Sequence, residues 1–110
     1  MSRQITGGNF QDSAGNLLDG GYMTFRLNTD VKVTGSNIQI QAGRVVTVPL
    51  GSGGSISGTV SLWPNSLLSP ASVYIVKVYD ANGVLAWNNQ MTIPAGSGAF
   101  DIGTWIPSNL

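Results

Sequence analysis

The chain has no cysteine, no histidine and no glutamate, and only 9% of its 110 residues are charged. Each absence removes a class of chemistry. Without cysteine there is no disulfide, no thiolate nucleophile and no thiolate metal ligand. Without histidine the commonest general base, the usual base of a catalytic triad and the usual catalytic zinc ligand are missing. Long apolar runs are absent too. No segment approaches the roughly 20 apolar residues of a membrane-spanning helix, and the opening MSRQITGGNF has no apolar run that could act as a secretory signal. A membrane is therefore not an expected partner.

The charges that remain cancel: Arg3, Arg26, Lys32, Arg44 and Lys77 against Asp12, Asp19, Asp30, Asp80 and Asp101. They are scattered singly along the chain, so no basic stripe exists to follow a phosphate backbone, and nucleic acid is not expected either. The aspartates could supply the carboxylate pair of a glycosidase. However, Asp12, Asp19, Asp30 and Asp80 sit among turn residues, where a carboxylate usually accepts hydrogen bonds from nearby backbone amides. Asp12-Ser13-Ala14-Gly15-Asn16 and Asp80-Ala81-Asn82-Gly83 superficially resemble the start of a calcium loop, but each has one carboxylate and no downstream glutamate. The pairs Gly7-Gly8, Gly20-Gly21 and Gly53-Gly54 lack the Lys-Ser/Thr and helix start of a phosphate cradle. No catalytic residue, metal ligand or cofactor is expected.

What is present is a β pattern. Short alternating runs are separated by Gly, Asn, Asp, Ser and Pro, and nowhere do apolar residues recur at helical spacing. The expected fold is all-β: residues 1–110 as one antiparallel β-sandwich of about seven to nine short strands, immunoglobulin-like or transthyretin-like, with no substantial helix. Met23, Phe25 and Leu27 alternate with Tyr22, Thr24 and Arg26, marking a strand with one buried face. Val31 and Val33 suggest a weak edge or bulged strand, and Ile38 and Ile40 another strand. Val46, Val48 and Leu50 face the core, as do Ile56, Val60 and Leu62. Gly51 to Ser55 reads as a flexible loop. Leu67, Leu68 and Pro70 would seal the end of the sandwich. The firmest feature is a hairpin. Val73 to Tyr79 is rich in β-branched and aromatic residues, Asp80-Ala81-Asn82-Gly83 supplies the turn, and the chain returns with Leu85, Trp87, Met91 and Ile93 in phase. Asn88-Asn89 suggests a bulge on the returning strand.

Two groups of side chains do not fit a simple core. Phe25, Tyr74, Trp87 and Phe100 follow the core phase, but Tyr22, Trp63, Tyr79 and Trp105 fall off it. Such aromatics can fill a subunit interface, pack within the molecule or stack on a sugar ring. Val73, Ile75 and Tyr79 make the second face of their strand too apolar to leave in water, so loops or a neighbouring subunit should cover it. The candidate interface or ligand-stacking residues are thus Tyr22, Trp63, Val73, Ile75, Tyr79 and Trp105. A neutral surface rich in hydroxyls and amides has little charge repulsion to keep copies apart. This favours a subunit of an assembly, a homo-oligomer among them, over an extracellular monomer.

Three runs carry a family resemblance: FQDSAGNLLDGGYMTFRL, VVTVPLGSGGSISGTVSLWPN and SVYIVKVYDANGVLAWNNQ. Their succession of Asp-Gly-Asn turn, G-x-x-x-F-x-L strand, Leu-x-Pro-Asn loop and extended tyrosine-containing strand resembles small virion proteins and tail-fibre modules of bacteriophages. The likeness spans roughly Phe10 to Ile93. It departs at Pro70-Ala71-Ser72-Val73-Tyr74, where such modules carry Pro-Gly-Thr-x-Tyr. The resemblance implies a structural role on capsid, neck or tail, with other virion proteins as partners and no catalytic residue. It also implies a chain made in the host cytoplasm and released by lysis, which would reconcile an exported-type composition with the lack of a signal; the opening Met1 suggests a complete reading frame. A carbohydrate-binding or adhesin module meeting a host-surface glycan, with Trp63 or Trp105 as platform, is the alternative.

Overall fold

The computed structural model describes residues 3–12, 14–43, 45–96 and 98–102, with Trp87 described in its backbone alone. The described residues are all-β, with short 3-10 turns at Ser52–Gly54 and Asn65–Leu67 and no substantial helix. Among the described residues there are ten strands: β1 (Arg3–Thr6), β2 (Tyr22–Leu27), β3 (Val31–Val33), β4 (Gln39–Ile40), β5 (Val46–Pro49), β6 (Ser61–Leu62), β7 (Leu68–Ser69), β8 (Tyr74–Tyr79), β9 (Leu85–Met91) and β10 (Phe100–Asp101). They divide among three sheets, ordered β5-β2-β8-β9, β10-β1-β6 and β4-β3-β7. One pairing departs from the antiparallel expectation, since β10 runs parallel to β1, with Ile5 opposite Phe100. Alternation fixes which way side chains point but not which strand lies alongside, so this pairing left no mark in the sequence.

The four-stranded sheet follows its pattern closely. Met23, Phe25 and Leu27 of β2, Val48 of β5, Tyr74, Val76 and Val78 of β8, and Met91 of β9 are all buried on one face. They join Ile5 and Leu62 from the second sheet and Val31, Val33 and Leu68 from the third in one apolar cluster. Val31 and Val33 therefore belong to a central strand rather than an edge, because β3 pairs with both β4 and β7. Leu50 is buried, and Val46, Ile56 and Val60 pack partly against the cluster. Of the three residues expected to seal one end, Leu68 is buried, Leu67 half-buried and Pro70 exposed. Phe100 is half-buried rather than central, and the guanidinium of Arg3 lies 5.3 Å from its ring centre.

Two Asp turns are built alike. The Asp12 Oδ1 accepts the amides of Ala14 and Asn16 at 2.9 and 3.0 Å, and the Asp80 Oδ1 accepts those of Asn82 and Val84 at 2.9 Å each. In each, the amide of the glycine, Gly15 or Gly83, donates to the aspartate carbonyl, and the glycine takes a positive φ of 83° or 80°. The Asn16 amide, above all, holds the Asp12 carboxyl below its ordinary range. The Gly51–Ser55 loop is anchored, not loose. Gly54 is buried at φ 68°, its carbonyl accepts the Phe10 amide, and a Cβ there would stand 2.6 Å from the Phe10 carbonyl oxygen.

A buried asparagine joins the layers. The Asn65 Nδ2 donates to the carbonyl and hydroxyl of Ser72 at 3.1 and 3.3 Å. Its Oδ1 accepts the Ile93 amide at 2.7 Å, and its own amide donates to the Ile93 carbonyl at 3.0 Å. Beside it the Tyr74 hydroxyl donates to the Trp63 carbonyl at 2.8 Å. Burial pushes the Tyr74 phenol up to about 12 from 10.0.

Asn65→Ala leaves the Ile93 amide and Ser72 carbonyl without partners, and it should lower the unfolding free energy by about 2–4 kcal/mol in urea titration. The raised Tyr74 pKa gives a second expectation. The unfolded phenol ionises first, so this contribution is complete below about pH 10 and is lost as pH rises toward about 12. Denaturation across that window should show the fall, and Tyr74→Phe should flatten it.

Candidate interaction face

The reverse side of the four-stranded sheet carries most of the side chains that the core pattern left over. Its rows follow from register. Pro49, Tyr22, Tyr79 and Leu85 stand side by side across the four strands. The next row is Thr47, Thr24, Lys77 and Asn88, and the next holds Arg26, Ile75 and Gln90. None of these residues is buried, and Arg26, Thr47, Pro49, Leu85, Asn88 and Gln90 are exposed.

The first row is apolar and aromatic. Tyr22 and Tyr79 stack with ring centres 4.6 Å apart and planes 20° from parallel. Leu85, 48% exposed, extends the row onto β9. The sequence pattern placed Leu85 in phase with Met91 and Ile93, facing inward. The strand instead shifts register between Val78 and Tyr79, so that Val78 pairs with Trp87 and Tyr79 with Leu85. Ala86 is the extra residue, and this bulge turns Leu85 onto the open face. Asn88-Asn89, where a bulge was expected, lies in regular pairing with Lys77 and Val76.

Lys77 stands as a ridge between two concavities. One, of about 200 Å³, is lined by Thr24, Arg26, Val45, Ile75, Lys77 and Tyr79. The other is lined by Ile75, Lys77, Asn88, Asn89 and Gln90. Arg26 donates from Nε to the Ala42 carbonyl at 3.1 Å, while Lys77 makes no hydrogen bond or ion pair among the described residues. Asp30 stands near Arg26, its Oδ1 accepting the amide of the same Ala42 at 2.7 Å. Asp19 is in the turn entering β2, and Asp80 is in the turn leaving β8. These turns touch, since a Cβ on Gly20 would lie 3.8 Å from that of Ala81. A Cβ on Gly21 would collide with the Tyr79 carbonyl oxygen, so glycine is required where the two turns close together.

The structure thus brings Tyr22, Ile75 and Tyr79 together on one face. Val73, half-buried, is tied at its end, its amide donating to the Asn28 Oδ1 at 3.0 Å. Trp63 is elsewhere. It packs against the core and lines a cavity of about 210 Å³ with Phe25, Leu62 and Tyr74, on the opposite side of the sheet. Trp105 lies outside the described residues. The in-phase reading of Trp87 concerns a side chain that is also outside them. The sequence reading did not single out Arg26, Lys77 and Leu85 for the face. The first two share the phase of Tyr22 and Tyr79 and were available from alternation, but Leu85 depends on the bulge. Among the described residues no three Asp side chains gather as a metal group, and no helix is long and apolar enough to cross a membrane.

No protein-family model, curated protein or solved structure matches the chain.

Because the stack lies on the open face, removing it should do little to the fold. Tyr79→Ser is expected to cost about 1 kcal/mol, against about 3–5 kcal/mol for Phe25→Ala in the core. Urea titration of the two variants checks the contrast.

Proposed function

We propose that the chain is a structural module of a bacteriophage particle, a capsid decoration, neck or tail component, and that it acts by protein–protein contact rather than catalysis. The observation that carries this reading is the uncovered face of the four-stranded sheet, with its Pro49-Tyr22-Tyr79-Leu85 row beside Lys77 and Arg26. Tyrosine and arginine are enriched in protein interfaces, and a half-exposed aromatic row held on a sheet binds at a low ordering cost. The absence of His, Cys and Glu from the whole chain is consistent with a non-catalytic role. The phage assignment within this reading is supported by the sequence resemblance alone.

The glycan-binding alternative has less support. Trp63, one of its two expected platforms, is half-buried and backed onto the core, the other, Trp105, lies outside the described residues, and Tyr22 and Tyr79 each present one ring face to the other.

Mass spectrometry of purified particles, from a culture producing the chain during phage growth, tests the assignment. The chain is expected in the particles at fixed copy number relative to the major capsid protein. Abundance in the lysate with absence from the particles would overturn it.

A further inference from the structure

The core side of the four-stranded sheet is not filled throughout. A cavity of about 210 Å³ opens where the three sheets meet. Phe25 and Leu27 of β2 and Tyr74 of β8 floor it, and all three are buried. Its walls are Leu62 and Trp63 at the end of β6, Ile40 of β4 and Val46 of β5. Gln41 and Ser61, both exposed, stand at its mouth. Neither of these two side chains has a hydrogen bond among the described residues, and no charged side chain lines the cavity among them.

We infer that this cavity is a binding site for a small uncharged aromatic molecule carrying one polar substituent. The inference goes beyond the structural reading above and does not rest on it. Size is the first reason. An engineered cavity of about 150 Å³ lined by Leu, Ile and Phe stays dry and takes up benzene. The present one is larger by about the share of two water molecules. Water is held poorly there. An enclosed water needs about two to four polar partners, but the Tyr74 hydroxyl and the Trp63 carbonyl are spent on each other at 2.8 Å. An apolar group that displaces poorly held water gains affinity.

The lining also selects the ligand class. Phe25, Trp63 and Tyr74 supply three rings, and rings meet in offset or edge-on contacts that a planar ligand can complete. A flexible chain of equal volume would lose rotamer freedom on entering. An ionised ligand would lose its hydration with no opposite charge in the lining to compensate. A hydroxyl or ring N–H, by contrast, can meet the Gln41 amide and the Ser61 hydroxyl at the mouth.

Titration of the isotope-labelled full chain with p-cresol, followed by amide NMR shifts, tests this. Saturable shifts are expected at Phe25, Gln41, Ser61, Leu62 and Trp63. The Kd should be about 0.1–1 mM, as suits a ligand of about eight non-hydrogen atoms. The melting temperature should rise with p-cresol concentration. Hexanol and p-toluate should each bind about tenfold more weakly or worse. Val46→Phe puts a ring into the cavity and should weaken p-cresol binding about tenfold or more, since close packing leaves no second space. Thermal melting checks folding, and should Val46→Phe fail to fold, Ser61→Phe at the exposed mouth carries the test. No saturable shift up to the solubility limit of p-cresol would overturn the inference. So would shifts centred on Tyr22 and Tyr79 instead, or binding indifferent to the filling variants. Hexanol or p-toluate binding as tightly as p-cresol would overturn the ligand class. None of these outcomes bears on whether the chain is found in particles, so the two proposals fail separately.

Discussion

The Asn65 side chain is the constraint on which the layers depend. It sits in the turn after β6, in the second sheet, and holds the Ser72 carbonyl before β8 and the Ile93 amide after β9. One buried amide thus ties the second sheet to the two strands that form the first sheet's hairpin. A buried amide that uses both its donor and its acceptor fixes position more narrowly than apolar packing can, because each lost bond leaves a backbone group unsatisfied. The Tyr74 hydroxyl on the Trp63 carbonyl repeats the device one residue pair away. Together they hold the β6 loop against the core side of the sheet, leaving its other side free.

That free side is what gives the molecule a direction. A sheet in the middle of a small all-β protein normally covers one face and hydrates the other. Here the outer face is neither fully polar nor fully apolar. It carries a stacked tyrosine pair, a leucine turned outward by a bulge, and the two cations Lys77 and Arg26. On the proposed reading, contact with a partner protein uses this face, and its tyrosine row and Leu85 supply the apolar area.

The same economy governs the aspartates. Those at the two Asp-x-x-Gly turns direct an oxygen into their own backbone, so their first task is to close reversals. In the Asp80 turn this closure sets the hairpin that brings Tyr79 beside Leu85. Residues that could have suggested a cation site are thereby explained by the local backbone, and the fold gains two rigid corners where a glycine in the left-handed region is required.

Much of this protein was legible in its residues because the controlling interactions are local. Period-two alternation placed Met23, Phe25 and Leu27 inside and Tyr22, Thr24 and Arg26 outside. The Asp80-Ala81-Asn82-Gly83 stretch marked the hairpin, and the missing residue types removed whole classes of chemistry. What alternation could not supply was anything depending on register between distant segments. The parallel pairing of β10 with β1, the central place of β3, the outward turn of Leu85 and the reach of Asn65 to Ile93 all belong to that kind. A side chain's face is set by its own strand, but its neighbours are set by how remote strands slide and pair. By itself the sequence determined an all-β chain with two-faced strands and no histidine, cysteine or glutamate for chemistry; only the tertiary structure decided which second face stayed open and which side chains meet on it.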